Sequence, residues 1–473
     1  MRSALKKIDE IGNLAFFRFR ECNGNVLLTT EAGEHIFLKK SVFNKLVNNE
    51  IRKNEPVYQE LIGKGFIRNR LKNFELIEQY RQKNSFIWRG PTLHIIVVTL
   101  RCNHSCIYCQ ASAKGFSAKG YDMDKATAEK TLEAIFESPS KAITIELQGG
   151  EPLANWETIE FICRKTIAMN KTFKKLVNIT LVSNLSLLSK DKLKFLIDQN
   201  VGICTSLDGP RALHDRNRKF FSGRSSYDLT TQKIKMVKKF DNHKRRLSAL
   251  LTLSKFSLKY PKEIIEEYRK WGFQEIHLRP ISNLGMSKAN RKRIGYTSEE
   301  FANFYKKALD YLVKLNIAGK TTMSERTAKI FLVKILLKRD PSYLDLRSPC
   351  GAGIGQIVYN YDGKVYTCDE ARMLQEDTFL IGNVRTDSFK DIINSVNIPA
   401  SCFASCQESV YCDYCAYKPY CGICPVINYA ETGNLFCQLP NSRLCKMNSF
   451  ILGYLFDRLN DEEYKKIFSK WIS

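Results

Sequence analysis

The stretch Cys102-Asn103-His104-Ser105-Cys106-Ile107-Tyr108-Cys109 decides how this chain is interpreted. Its cysteines have the spacing C-x3-C-x2-C and directly follow an apolar, strand-like run, Leu93–Leu100. Three thiolates in one short loop can hold three corners of an iron–sulfur cube and leave the fourth iron open to a ligand. Zinc is the alternative, but structural zinc sites take four ligands, and His104 is the local candidate for the fourth. The position favours iron and sulfur, because active sites of βα barrels form at strand ends.

Apolar strand-like segments alternate with helical segments from about residue 90 to residue 281. The predicted strands are Leu93–Leu100, Ile143–Leu147, Val177–Val182, Val201–Ser206, Leu247–Thr252 and Glu275–Arg279. The predicted helices between them are Asp124–Glu137, Trp156–Met169, Ser189–Gln199, Leu229–Phe240 and Pro261–Trp271. Such alternation indicates a parallel sheet with right-handed crossovers, and continuous apolar strands indicate that both faces are covered. We therefore predict an α/β fold with a partial (β/α)6 barrel.

Polar or glycine-rich motifs follow successive strands of this predicted barrel. The second strand runs into Gly149-Gly150-Glu151-Pro152, the third into Ser183-Asn184, and the fourth into Ser206-Leu207-Asp208-Gly209-Pro210 with Arg218 beyond it. With the cysteine triad, and in this order, these motifs resemble the radical S-adenosylmethionine (SAM) superfamily. The resemblance implies that a reduced [4Fe–4S] cluster cleaves SAM to a 5′-deoxyadenosyl radical, which abstracts hydrogen from a substrate.

The same resemblance assigns roles to particular residues. The cluster ligands would be Cys102, Cys106 and Cys109. The SAM-binding residues would be Tyr108 near the adenine, Gly149, Gly150 and Glu151 at the amino group, Ser183 and Asn184 at the ribose, and Ser206 and Arg218 at the carboxylate.

Ten of the 16 cysteines lie between Cys350 and Cys445. Pairs spaced C-x2-C suit zinc ribbons as well as iron–sulfur clusters. Here the pattern resembles the SPASM domain of peptide-modifying radical SAM enzymes, which holds two auxiliary [4Fe–4S] clusters. The resemblance implies one cluster on Cys412, Cys415, Cys421 and Cys445, and the other on Cys350, Cys368 and Cys424.

Two features depart from that pattern. The family usually has three residues, not two, before the equivalent of Cys424. The fourth ligand of the Cys350 cluster is also open: Cys402, Cys406 or a substrate group could fill it, and Cys437 could replace Cys445.

An acid directly after a ligand cysteine gives a candidate proton acceptor. Asp369 follows Cys368, and in similar sulfatase maturases an acid at this place is the proposed general base. A surface or turn acid is the alternative. Cys22, Cys163 and Cys204 lie in apolar sequence and are predicted to be buried core thiols.

Residues 1 to 88 read as a separate small module. Alternating strands are predicted at Phe16–Arg20, Val26–Thr29 and His35–Leu38, followed by helices Ser41–Asn48 and Pro56–Lys64. This winged-helix-like order resembles the leader-peptide recognition element of ribosomal-peptide maturases, which takes up the leader as an extra strand. Small winged folds also bind DNA, so that alternative stays open.

Two further segments complete the predicted domain order. Thr297-Ser298-Glu299-Glu300 is a capping box that opens a helix in a connector spanning residues 297–346. The predicted division is therefore 1–88, 89–296, 297–346 and 347–473, the last being the cysteine-rich SPASM domain with a C-terminal helix.

Composition narrows the function classes. The 473 residues carry a formal charge of +25, and 13 Lys or Arg against three Asp lie between Arg211 and Lys255. This basic face suits an acidic peptide, or simply solvent. Apolar runs are of strand length and no signal peptide is visible, so we expect a cytoplasmic protein without membrane spans. In a reducing compartment, 16 cysteines indicate metal ligation rather than disulfides.

Together these features most resemble the radical SAM/SPASM maturase of the His-Xaa-Ser peptide system. The resemblance implies three [4Fe–4S] clusters, SAM, a ribosomally made precursor peptide with or without His-Xaa-Ser repeats, and an electron donor such as flavodoxin or ferredoxin. A crosslink is the expected product. The alternatives are a formylglycine-forming sulfatase-type maturase and a zinc-ribbon nucleic-acid-binding protein.

Overall fold

The computed structural model describes residues 13–68, 70–240, 247–341, 343–374, 376–407, 409–436 and 440–473. It opens with an antiparallel sheet of three strands followed by three helices. These elements are β1 (Arg18–Cys22), β2 (Asn25–Thr29), β3 (His35–Lys39), α1 (Lys40–Val47), α2 (Pro56–Gly63) and α3 (Arg70–Asn84). The predicted order of strands and first two helices in this N-terminal module is confirmed.

Strands and helices then alternate as the sequence predicts. The first part comprises β4 (Leu93–Thr99), β5 (Arg101–Cys102), β6 (His104–Cys106), β7 (Lys114–Gly115), α4 (Lys125–Glu137), β8 (Ala142–Gly149), α5 (Trp156–Phe173), β9 (Leu176–Val182) and α6 (Lys190–Asp198). The second part comprises β10 (Gly202–Ser206), α7 (Arg211–Asn217), β11 (Arg218–Phe220), α8 (Ser226–Phe240), β12 (Leu247–Leu253), α9 (Pro261–Lys270), β13 (Glu275–Ile276) and β14 (Leu278–Pro280).

The connector is helical, as predicted. Two short helices, α10 (Gly285–Ala289) and α11 (Arg291–Ile294), precede it, and it contains α12 (Ser298–Ile317), β15 (Ser324–Glu325) and α13 (Arg326–Leu332). The capping box at the start of α12 forms in both directions: Glu300 N–H donates to Thr297 Oγ1 at 3.1 Å, and Thr297 N–H donates to the Glu300 carboxylate at 2.8 Å.

The C-terminal segment is built from short elements and two final helices. They are β16 (Gln356–Tyr359), β17 (Lys364–Tyr366), α14 (Asp369–Met373), β18 (Leu380–Asn383), α15 (Phe389–Ile393), α16 (Asn397–Ser405), α17 (Val410–Asp413), α18 (Pro425–Thr432), α19 (Arg443–Arg458) and α20 (Glu462–Ile472).

One nine-stranded sheet joins the barrel to the C-terminal segment. Its order is β14-β12-β10-β9-β8-β4-β16-β17-β18, and all neighbours from β14 to β16 are parallel. The six parallel strands β4, β8, β9, β10, β12 and β14 therefore form the predicted partial (β/α)6 barrel. The C-terminal segment extends this barrel, because Gln356 of β16 pairs with Leu93 of β4.

Burial along the strands explains the layered architecture. In β4 every residue from His94 to Thr99 is buried, as expected for a parallel strand covered on both faces. The sixth predicted strand differs from the prediction, because it breaks at His277: β13 pairs with β15, whereas β14 pairs with β12. Among the described residues, no helix is long and apolar enough to cross a membrane.

Candidate active site

A cavity of about 770 Å³ occupies the barrel and opens where the strands end. Most of the site residues that were predicted from the sequence line this cavity. The predicted residues that line it are Cys102, Cys106, Tyr108, Cys109, Gly149, Gly150, Ser183, Asn184, Ser206, Arg218 and Asp369. Glu151 is the one predicted SAM-site residue outside this lining.

The loop with the first three cysteines is held by two short ladders. Cys102 in β5 pairs with Gly115 in β7, and Cys106 in β6 pairs with Arg218 in β11. The third cysteine is fixed by Met286 N–H, which donates to the Cys109 carbonyl at 2.8 Å. Burial raises the pKa of the Cys106 thiol to about 12. Thiolates here therefore require positive charge nearby, which the iron of a cluster would supply.

The glycines of the second motif are required by the backbone next to them. A Cβ on Gly149 would lie 2.2 Å from the Thr99 carbonyl oxygen, and one on Gly150 would lie 2.5 Å from the Arg101 carbonyl oxygen. Gly150 N–H donates to Thr99 O at 2.8 Å. Both glycines allow the end of β8 to cross the strand that leads into the cysteine loop, and they expose backbone to the cavity.

Glu151 lies beneath the cavity wall and is fully buried. Its carboxylate accepts hydrogen bonds from Ser183 Oγ at 2.7 Å, Asn184 N–H at 2.8 Å and Leu153 N–H at 3.1 Å. Burial raises the pKa of this carboxyl group. In this geometry Glu151 fixes the predicted ribose-binding pair after β9, so it links the second strand end to the third.

Tyr108 and Arg218 belong to a buried hydrogen-bond network. Tyr108 Oη donates to Asp208 and accepts from Arg218 Nη1 at 2.9 Å. Asn217 Nδ2 also donates to Asp208, at 3.1 Å. Asp208 is fully buried, and no role was predicted for it. Its position two residues after Ser206, in the fourth strand-end motif, was the available signal.

The side chain of His104 is buried beside the three predicted ligand cysteines, and its surroundings differ from theirs. It is 4% exposed, and no described residue hydrogen-bonds to either ring nitrogen. Its ring meets Phe220 edge-on, with centroids 4.1 Å apart. Burial lowers the pKa of His104 to about 3, so the ring is a neutral wall of the cavity.

Some residues that line the cavity were not predicted for it. Cys204 was predicted to be a core thiol, which is wrong: it lines the cavity together with Gly202, Ile203 and Ser206 of β10. Cys163 is fully buried in α5, as predicted, and Cys22 is half-buried in β1. Other cavity residues that the sequence reasoning missed include Glu146, Gln148, His277, Arg279 and Arg326.

Four C-terminal cysteines gather at one place. Burial, and then the neighbouring thiols of Cys421, Cys415 and Cys445, raise the pKa of Cys412 to about 12. This is the set that the SPASM resemblance assigns to one cluster. Cys437 lies outside the described residues, so its exchange with Cys445 stays a prediction.

Three other cysteines gather in a separate apolar cluster. Cys350, Cys368 and Cys424 are buried together, and burial, Glu370 and the other two thiols raise the pKa of Cys368. Cys402 lies on the Cys350 side, with its sulfur 4.0 Å from the Cys350 carbonyl oxygen, and Cys406 lies beside Cys402. The fourth ligand of this set, Cys402, Cys406 or a substrate group, stays a prediction. Among the described residues, no three His, Cys, Asp or Glu side chains converge on a single metal ion.

Two protein-family models match this chain. The radical SAM superfamily matches residues 96–268, which contain the first cysteine loop, the strands β8, β9, β10 and β12 and part of β4. An iron–sulfur cluster-binding domain, SPASM, matches residues 350–425. The chain contains a radical SAM domain followed by a SPASM domain.

Several known proteins are similar over most of the chain. The cysteine-type anaerobic sulfatase-maturating enzyme of Clostridium novyi (strain NT) is 22% identical over 71% of this chain and 90% of its own length. Native anSMEcpe with bound AdoMet has a TM-score of 0.67 at 19% identity, over 80% of this chain and all of that one. Streptococcus suis SuiB bound to precursor peptide SuiA has a TM-score of 0.55 at 16% identity, over 90% of this chain and all of that one. The structural likenesses confirm the fold.

Asp369 lies in the SPASM domain and lines the cavity of the radical SAM domain. It is the first residue of α14, directly after the buried Cys368. Its Oδ1 accepts from Arg372 Nη2 at 2.9 Å, and Arg279 Nη2 contacts neighbouring Glu370 at 3.1 Å. One wall of the cavity therefore carries the Asp369 carboxylate, which Arg372 orients and which directly follows the predicted auxiliary ligand Cys368.

The N-terminal module packs on the SPASM loop between Cys412 and Cys421. Arg18 Nε donates to Asp413 O, Thr29 Oγ1 to Ala416 O and Lys83 Nζ to Pro419 O, each at 2.8 Å. One face of the β1–β3 sheet covers this loop, whereas the other face, with Val26 and Leu28, packs on the module's own helices. The module is therefore part of the surroundings of the SPASM cysteines.

Proposed function

We propose that this chain is a radical SAM enzyme that modifies a ribosomally made precursor peptide. The observation that carries the proposal is the cavity, in which the three-cysteine loop, the SAM-site residues and Asp369 of the SPASM domain line one space. When bound and reduced, the cluster supplies the electron that cleaves SAM, and the resulting radical abstracts a substrate hydrogen.

The chain's own residues hold and shield SAM in this proposal. Arg218 presents a fixed cation to the SAM carboxylate, because Tyr108 and Asp208 hold its side chain from behind. Ser183 and Asn184 are set at the ribose by Glu151. Tyr108 is 5% exposed and excludes water from the adenine side.

Asp369 takes the proton when the substrate radical is oxidised. Arg372 Nη2 donates to Asp369 Oδ1 and holds the carboxyl group at the cavity wall, directly after Cys368. In this proposal the SPASM cysteines would hold two auxiliary [4Fe–4S] clusters, one on four thiols and one on three thiols plus Cys402, Cys406 or a substrate group. With the SAM cluster this makes three cubes.

The N-terminal module supplies peptide recognition. Among the described residues β1 and β3 are the edges of its sheet, and an edge can take an extra strand. Phe16 and Phe19 beside the β1 edge are 65% and 51% exposed, so they offer apolar contacts to a peptide. The fold likeness to SuiB, which was solved with precursor peptide SuiA, supports this role.

Iron and 5′-deoxyadenosine measurements test the proposal. Protein reconstituted without oxygen should hold about 12 iron atoms and produce 5′-deoxyadenosine from SAM and dithionite. Replacing Cys102, Cys106 and Cys109 with Ala should remove about four irons and all SAM cleavage. The matched control, Cys163→Ala, changes a buried cysteine outside the three sets and should keep both. Zinc-loaded, iron-free protein would refute the enzyme assignment and restore the zinc-ribbon alternative.

The product and the precursor belong to the same proposal. We favour a crosslink on a precursor peptide, with or without His-Xaa-Ser repeats, in a reducing cytoplasm. A formylglycine-forming maturase is the second candidate, and the TM-score of 0.67 to anSMEcpe favours it. Mass spectrometry after reaction separates them, because formylglycine is an aldehyde that a hydrazine probe captures, whereas a crosslink resists the probe and joins two residues.

A further inference from the structure

A second cavity of about 770 Å³ lies on the outer side of the first cysteine loop. Asn103, between two ligand cysteines, is part of its wall, and so is Phe220. His104 lines the inner cavity and its ring meets Phe220 at a centroid distance of 4.1 Å. The His104–Phe220 pair is therefore a direct contact between the wall of the inner cavity and the wall of this outer groove.

Apolar side chains and positive charge border the groove. Phe116 and Phe221 line it and are 43% and 65% exposed. Within three residues of either phenylalanine, the sequence has Lys114, Lys119, Arg218, Lys219 and Arg224 and no acidic residue. Exposed aromatic residues surrounded by charge are typical of protein interaction sites.

Part of the basic stretch Arg211–Lys255 is used within the protein. Arg218 turns inward to Tyr108, Arg211 pairs with Asp228 at the groove, and Arg216 packs over the Phe256 ring. Residues 241–246 lie outside the described residues. The charge that faces a partner near Phe221 is therefore concentrated at Lys219 and Arg224, which are both exposed.

We propose that this groove is the docking surface for the electron donor, a small acidic one-electron carrier protein. The inference rests on the proposed function, because SAM cleavage consumes one electron in each turnover. One electron leaves the carrier, which is oxidised by one equivalent, and reduces the cluster across the His104–Phe220 pair. Electron transfer slows steeply with distance, so the contact between the His104 and Phe220 rings favours electron entry from this side of the loop.

Charge complementarity selects the carrier over an apolar partner. Opposite charges raise the association rate and make it sensitive to salt, whereas the aromatic residues provide the contact area. A transient complex of this kind suits a carrier that must leave after each electron. The precursor peptide is the rival occupant, and the experiment includes it.

The experiment measures 5′-deoxyadenosine formation by reconstituted enzyme with two reductants, reduced flavodoxin and dithionite. The double variant Phe221→Asp/Arg224→Glu should lose about tenfold or more of the flavodoxin-driven rate at low salt. It should keep the dithionite-driven rate, because a small reductant needs no docking surface. The matched control is Phe173→Asp/Lys171→Glu, which changes an exposed pair on α5 outside the groove and should keep both rates.

Three results would overturn the proposal that this groove is the docking surface for the electron donor. They are a flavodoxin-driven rate within twofold of wild type, an equal loss with both reductants, and a raised KM for the precursor peptide in dithionite assays. The last would assign the groove to the peptide. If wild-type enzyme fails to cleave SAM even with dithionite, the proposed function falls, and direct binding of flavodoxin to wild type and variant then decides the docking surface.

Discussion

Thr29 offers a direct test of whether the N-terminal module supports the SPASM ligand loop. Its side chain is fully buried, and its hydroxyl donates to the Ala416 carbonyl at 2.8 Å, across two parts of the chain that are 387 residues apart. Thr29→Val keeps the shape of the side chain and removes the donor. The Ala416 carbonyl then loses this partner in a buried place, at a cost of about 1–3 kcal/mol.

The lost free energy should make the loop around Ala416 open more often. If amides in residues 413–421 exchange through local opening, about 1–3 kcal/mol corresponds to about 5- to 150-fold faster hydrogen exchange. The measurement is hydrogen–deuterium exchange with mass spectrometry on peptides that cover this loop. Cys412, Cys415 and Cys421 flank or lie in the loop, so retention of iron under a chelator should also fall.

Thr131 provides the matched control. It is also fully buried, but no described residue hydrogen-bonds to its hydroxyl. Thr131→Val therefore removes a buried polar atom without removing a bond, and stability should stay equal or rise. Unchanged exchange of the loop in Thr29→Val would refute the reasoning, because the hydrogen bond would then contribute nothing to the loop.

Other residues give independent tests. Tyr108→Phe should weaken SAM binding about tenfold, because Arg218 loses a charged hydrogen bond, whereas exposed Tyr414→Phe should not change it in the same equilibrium titration. Asp369→Asn should keep 5′-deoxyadenosine formation and lose the modified peptide by mass spectrometry, whereas exposed Asp391→Asn should lose neither. Burial lowers the pKa of His94 from 6.5 to about 3. Below pH 6.5 the unfolded chain therefore binds a proton at His94 that the folded chain does not bind. The free energy of unfolding then falls by about 1.4 kcal/mol per pH unit from pH 6.5 toward pH 3. His94→Gln should lessen the fall in the apparent unfolding midpoint between pH 7.5 and 5.5, and parallel curves would contradict this assignment.

The barrel and its first cysteine loop were predictable because their signals are local. Strand and helix alternation from Leu93 to Arg279 reflects burial on both faces, and the Thr297 capping box marks a helix start by short-range bonds. The pairing of β16 with β4 was not predictable, because it joins residues more than 250 positions apart and its apolar strand would suit any sheet edge.

The orientation of one strand explains the wrong prediction for Cys204. The apolar run Val201–Ser206 looks buried throughout, yet alternate residues of a strand point to opposite faces. Cys204 and Ser206 line the cavity, whereas Thr205 between them is fully buried and lies outside the lining. An apolar run without alternating polar residues does not show which side chains point into the barrel and which point to the helices. That orientation is set only when the barrel closes.

Charge gives a physical reason why three parts of the chain meet at the Cys412–Cys421 loop. Four thiolates with a cluster concentrate negative charge in a buried place, which is costly unless cations lie nearby. Lys83 from α3 donates to the Pro419 carbonyl, and buried Lys334 from the connector donates to the Tyr420 carbonyl. Burial lowers the pKa of Lys83 to about 8 and of Lys334 to about 7, so each ammonium is itself costly without anions. Cys421 and Asp340 favour the charged form of Lys334, whereas Glu31 and Asp340 favour that of Lys83. A cluster on these cysteines would therefore offset part of the cost of burying Lys334, and the two lysines join the N-terminal module and the connector to the loop through its carbonyl groups.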